Sequence, residues 1–162
     1  MKKQAENKPM RYIKICIWIM IFGLAVSGLT AFPLQTELGW LVSHDSYYPE
    51  GMNRWLHTIH LAISNTNQSY PYLSYGTDWL AFAHLMLALL FIGTLKDPVK
   101  NVWVIEFGMI ACLLVIPLAF IAGSIRHIPV FWRIFDCSFG VIGIIPLIIC
   151  YKKIQLLKYT RA

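Results

Sequence analysis

The chain has 162 residues, of which 57% are hydrophobic and 14% charged, whereas a soluble domain is roughly 45–50% apolar and about 25% charged. That surplus of apolar surface excludes an ordinary water-soluble fold and calls for lipid as a solvent. A formal charge of +6 does not make a nucleic-acid binder, because the basic residues gather at the ends of apolar runs rather than on one face of a folded module.

The first apolar run, 12–32, meets the roughly 20 residues of helix that a hydrocarbon core of about 30 Å requires. Lys2, Lys3, Lys8 and Arg11 precede it, Lys14 lies in its first turn, and Ser27, Gly28 and Ala31 lie toward its end, which is the outline of a signal peptide. The run stays apolar to Phe32 without a crisp A-x-A site, so an uncleaved signal-anchor is expected. Gly23, Ser27 and Ala31, four residues apart, predict a close-packing face on this helix.

Residues 33–78 form the one sizeable polar stretch. After Pro49, the residues Met52, Trp55, Leu56, Ile59 and Ile63 recur at helical spacing and predict a short amphipathic helix that ends within 65–69, lying on the bilayer or capping the bundle. His57 and His60 stand three apart on it, with Glu50 and His44 nearby in the chain, but no HExxH or comparable motif is present and no metal site is expected. Thr77 and Asp78 suit the cap of a second span, 79–95.

A third span, 102–123, and a fourth, 134–151, complete the set; the second and fourth are short but admissible, since thinning and snorkelling flanks ease such spans. Pro117 and Pro146 each remove a backbone donor and predict kinks. The fold class expected is therefore all-α, a polytopic four-transmembrane-helix bundle forming a single membrane domain over 1–162. Eleven of the fourteen Lys and Arg residues fall on the side of the two chain ends, and only Arg54, Arg126 and Arg133 on the other. By the positive-inside rule both termini are cytoplasmic and residues 33–78 face outward. Tyr12, Trp18, Trp103 and Tyr151 on one side, and Tyr75, Trp79, Phe131 and Trp132 on the other, fit aromatic belts at the headgroups. Cys16, Cys112, Cys137 and Cys150 show no CxxC spacing and read as packing residues.

Ionisable groups inside a span are costly, and each is a candidate for function. His84 lies about 7.5 Å beyond Trp79 at 1.5 Å per residue, and Ala81 and Ala88 on its face predict that it points into the bundle. Asp136 begins the fourth span, shares its face with Gly140 and Gly143, and has Arg133 three residues earlier; in a helix's first turn a carboxylate is also favoured by the macrodipole. Glu106 lies opposite the small residues of the third span and is accounted for by snorkelling toward Lys100. The outer third thus collects Asp78, His84, Arg126, His127, Arg133 and Asp136 beside two helix N-termini, a candidate ligand-binding pocket for a small polar or anionic molecule.

The stretches TAFPLQ at 30–35, YGTDWLAFAH at 75–84, DPVKNVWVIE at 97–106 and FWRIFDCSFG at 131–140 resemble segments of small four-span proteins of the bacterial inner membrane to which no activity is assigned. The resemblance covers most of the chain after residue 20 and implies a bacterial inner membrane; it gives no residue a role.

Three functions remain in view. Small-molecule binding would use the outer polar cluster. A haem- or quinone-linked redox protein would use His84 as one axial ligand to haem b, but His57, His60 or His127 would have to supply the other from outside a span. An accessory subunit would pack its helices against a larger membrane complex or, as a homo-oligomer, against copies of itself. Without GxSxG, HExxH or P-loop motifs an enzyme is the weaker expectation, and the four spans show no internal repeat of the transporter kind.

Overall fold

The computed structural model of the protein describes residues 2–161, with side chains described for all of these except 2–7, 45, 160 and 161. The expectations that rest on the charged side chains of Lys2, Lys3 and Arg161 thus lie outside the described ones. The fold is all-α. Its helices are α1 (Lys2–Ala31), α2 (Leu34–Ser43), α3 (Glu50–Ser69), α4 (Tyr75–Thr94), α5 (Val102–Ile125) and α6 (Val130–Arg161), with single 3-10 turns at Asp45–Tyr47 and Pro71–Leu73.

Four of these helices are long and apolar enough to cross a membrane, over Lys8–Ala31, Pro71–Thr94, Val102–Ile125 and Val130–Tyr159. Their surfaces agree: Phe22 is 72% exposed, Leu118 64% and Ile142 65%. Side chains of that size left uncovered along whole helices suit hydrocarbon, where all backbone N–H and C=O groups are satisfied within each helix. Pro117 and Pro146 lie inside α5 and α6 without ending either helix. The basic flanks also differ from the predicted spans, because helix continues through residues 2–11 and 152–161 rather than stopping at the apolar boundary.

The chain forms two compact units, Met1–Phe22 with Ala88–Ala162, and Gly23–Leu87. In the first, Ile13, Cys16 and Ile17 of α1, Phe91 and Thr94 of α4, Val104 and Ile105 of α5, and Leu147, Cys150 and Ile154 of α6 are buried. Lipid tails are as apolar as leucine, so helices here associate through close van der Waals contact. Small residues permit it. A Cβ on Gly108 would stand 3.1 Å from both Leu147 and Phe91, and one on Gly140 would stand 2.5 Å from the Cys112 carbonyl oxygen. The glycine stripe expected on the face of Asp136 is thus the seam of α5 and α6.

In the second unit, α2 and α3 form a helical hairpin where a single short helix was expected. Leu38 of α2 and Leu56 of α3 are buried in it, and Met52, Trp55, Ile59 and Ile63 are half-buried on the same side of α3 while Arg54, Thr58 and Leu61 are exposed. The amphipathic period, the start after Pro49 and the end within 65–69 were therefore correctly read, and the helix runs for 20 residues. Its apolar face is covered by α2, whose residues 34–43 carry too even a mixture to announce a helix.

The close-packing face of α1 in this unit also departs from the expectation. Gly23 and Ser27 are exposed, and nothing lies within 4 Å of a Cβ built on Gly23. The contact runs through Gly28, where a Cβ would lie 2.9 Å from the Ala81 carbonyl oxygen and from Leu85. A four-residue stripe drifts around a helix of 3.6 residues per turn, so Gly23, Ser27 and Ala31 do not hold one facing partner. Gly28→Ala is expected to cost about 1–3 kcal/mol by overpacking, and Gly23→Ala to be neutral or to stabilise by up to about 1 kcal/mol through helix propensity. Thermal melting of both variants in detergent checks the pair, and equal melting temperatures would contradict the assignment.

Candidate functional site

The polar residues of the second unit meet where the ends of α1 and α3 and the starts of α2 and α4 come together. Pro33 turns the chain out of α1 and begins α2, which places Gln35 on the first turn of α2 beside the last turns of α3. Gln35 Nε2 donates to Ser64 Oγ (3.3 Å) and Asn67 Nδ2 donates to Gln35 Oε1 (2.5 Å). Ser74 Oγ in turn donates to Asn67 Oδ1. The relay couples the two amides: each carbonyl oxygen accepts and each amide nitrogen donates, so the sense of one sets that of the other. It borders a cavity of about 230 Å³ lined by residues 31–36 together with Ile63, Asn67, Ser74, Thr77 and Asp78.

Asp78 is the one charged side chain on that lining. It lies within the first turn of α4, which begins at Tyr75, rather than at a cap before residue 79. Among the described residues no Lys, Arg or His forms an ion pair with it. Asp78 also floors a second, more open cleft of about 290 Å³, with Phe32, Tyr75, Trp79 and Phe82 around it.

His84 is half-buried two turns further along α4, between the buried Ala81 and Ala88. Its Nδ1 lies 2.8 Å from the Leu80 carbonyl oxygen. A carbonyl only accepts, so Nδ1 carries a proton and Nε2 is left for any other partner. This is a common way of satisfying a histidine within its own helix.

Arg126, His127, Arg133 and Asp136 belong to the other unit, and the structure gives two of them work at the turn joining α5 to α6. His127 has φ 55, and the bonds Ile128 N to Gly123 O (2.9 Å) and His127 N to Ser124 O (3.3 Å) are those of a Schellman ending, in which the residue after the cap is left-handed. Arg133 reaches back over Gly123: its Nε donates to Ile128 O (2.6 Å) and its Nη1 to Ser124 Oγ (2.8 Å). Arg126 and the His127 side chain are exposed and Asp136 is half-buried. Asp136 is the seventh residue of α6, because the helix starts at Val130, so the first-turn dipole argument does not reach it. Among the described residues it makes no ion pair with Arg133.

Of the six candidate residues, Asp78 alone lines the polar cavity. Gln35, Asn67 and Ser74, which share the lining, were not singled out and Thr77 only as a cap residue, since Gln35 and Asn67 stand 32 positions apart and only the α2–α3 hairpin joins them. Among the described residues no group of three or more His, Cys, Asp or Glu side chains is arranged to hold a metal, so His57 and His60 are not part of such a set. His60 instead faces Gly39, whose Cβ would lie 3.4 Å from its Nε2. No family model, curated protein or solved structure matches this chain.

Proposed function

We propose that the chain is a multi-pass protein of the bacterial cytoplasmic membrane, with both termini in the cytoplasm, and that it binds a small polar molecule on the opposite side in the cavity that Asp78 lines. The orientation is supported by the eleven-to-three distribution of Lys and Arg, and the bacterial inner membrane by the resemblance of four stretches to small four-span proteins.

The observation that carries the binding reading is the Ser74–Asn67–Gln35–Ser64 relay at a cavity wall. Polar side chains bonded to one another beside an open volume are the arrangement by which ligand sites fix the pose of what they bind. Asp78 would accept from a hydroxyl or amine, and the second N–H groups of Gln35 and Asn67 would meet an acceptor. A volume of about 230 Å³ lies below the roughly 300–1,000 Å³ of drug-sized sites, so the occupant is small. Asp78, the one charged group on the lining, favours a polar over an anionic ligand.

A thermal-shift screen of the purified protein against small amines, polyols, amino acids and organic acids tests this. At least one class is expected to raise the melting temperature of the wild type by 2 °C or more, an order-of-magnitude figure for ligand well above its Kd, and Asn67→Leu is expected to remove the shift. Stabilisation by no class, or an unchanged shift in Asn67→Leu, would defeat it. Fusions at the C-terminus test the orientation: green fluorescent protein should fluoresce there and alkaline phosphatase should be inactive.

A further inference from the structure

The cleft on the other side of Asp78 has a different chemistry from the polar cavity. We infer that it is a site for an organic ammonium ion, bound between the aromatic faces of Phe32, Tyr75, Trp79 and Phe82 with the Asp78 carboxylate as counter-charge.

Tyr75, Asp78, Trp79 and Phe82 fall at i, i+3, i+4 and i+7, so α4 presents all four on one face, and Phe32 approaches from just beyond the end of α1. The rings of Tyr75 and Trp79 stand 6.0 Å apart at 82°, and those of Trp79 and Phe82 6.1 Å apart at 86°. Four rings border the cleft, and the negative face of an aromatic ring attracts a cation within about 6 Å of its centroid, tryptophan most strongly.

Other occupants suit it less. A metal ion wants several oxygen, nitrogen or sulfur ligands, and this lining offers one carboxylate and one phenol. An anion would meet the Asp78 charge, and an acyl chain would cover that charge without answering it. An alkylammonium ion satisfies both parts of the lining, its methyl or methylene groups against the rings and its charge beside the carboxylate. Two sources carry that group: a soluble amine, and the headgroup of a zwitterionic phospholipid, which stands at the level where tyrosine and tryptophan collect at span ends.

This deepens the proposed function, since Asp78 serves both cavities, but the relay does not line the aromatic cleft. Choline and its uncharged carbon isostere 3,3-dimethylbutan-1-ol, titrated against the purified protein in maltoside detergent at fixed ionic strength and followed by tryptophan fluorescence, provide the test. Saturable choline binding is expected, with the isostere at least tenfold weaker. Asp78→Asn and Trp79→Leu should each weaken choline at least tenfold with helicity unchanged, while Asn67→Leu should leave it within twofold.

Equal affinity for choline and the isostere, or no saturation by choline in detergent and in phosphatidylglycerol nanodiscs alike, overturns the inference. So does wild-type affinity in Asp78→Asn. Loss of choline binding in Asn67→Leu, with its fold intact, would move the cation into the polar cavity and also overturn it. Should choline bind while the Asn67-dependent screen finds nothing, the ammonium site stands and the polar-cavity reading falls. In nanodiscs, competition by added phosphatidylcholine identifies a lipid headgroup as the source, and its absence a soluble ammonium ion; both outcomes support the site.

Discussion

Gly140→Leu is expected to lower the stability of the protein more than any other single glycine substitution in its helices. A Cβ at this position would come 2.5 Å from the backbone oxygen of Cys112 and 3.5 Å from the Val115 Cβ. A flexible side chain can move aside, but here the obstacle is the backbone of α5 itself, so relief requires the two helices to separate. Gly143 lies one turn further along, where a Cβ would meet Cys112 Sγ at 3.2 Å, so the helices are close there as well. Overpacking of a dense interior costs about 1–3 kcal/mol; Gly140→Ala should fall in that range and Gly140→Leu at or beyond its upper end. Gly93, with nothing within 4 Å of its Cβ position, provides the control, because Gly93→Ala should stabilise by up to about 1 kcal/mol. Unfolding in mixed micelles measures all three. Wild-type stability in Gly140→Ala would mean that α5 and α6 do not meet at this residue.

The second large effect is expected at Arg133, and it separates a structural role from a binding one. Hydrogen bonds from charged groups contribute about 1.5–3 kcal/mol, and Arg133 makes two, to Ile128 O and Ser124 Oγ. Arg133→Ala is therefore expected to destabilise by about 1.5–3 kcal/mol, the lower end applying because the side chain is half-buried and water can replace part of what is lost. Arg133→Lys should recover less than half of it, since an ammonium lacks the planar fork that serves two acceptors at once. Stability is read in the same mixed-micelle assay and ligand binding in the thermal-shift screen. If Arg133→Ala melted like the wild type but lost the response to organic acids, the guanidinium would be a ligand-binding group and its role in the turn incidental.

Gly140 was legible in the sequence as part of a close-packing face, whereas Arg133 was conspicuous by its type and not by its role. Arginine and histidine near the end of an apolar run read as groups awaiting a ligand, because an intramembrane charge needs a partner. For Arg133 the partners are a carbonyl and a hydroxyl five and nine residues earlier. Carbonyls leave no mark in a sequence. His127 is similar: its backbone, at φ 55, ends α5, and glycine or asparagine there would have signalled the turn more openly.

What the sequence determined by itself is the solvent and the helices of the four spans. Continuous apolar runs of membrane length leave a chain no alternative to helix, since every backbone group must then be satisfied within its own segment, and the distribution of lysine and arginine is legible without coordinates. The period of Met52, Trp55, Leu56, Ile59 and Ile63 was readable for the same reason, being local. What only the tertiary structure decided is which polar groups meet. Gln35 finds Asn67 because α2 folds back along α3. Phe32 joins Tyr75, Trp79 and Phe82 because the end of α1 lies beside the start of α4, and Gly28 rather than Gly23 takes the close contact there. Such pairings depend on the rotation of each helix about its axis, and that rotation is set by the fit of side chains on facing helices, a property of two segments together that neither carries alone.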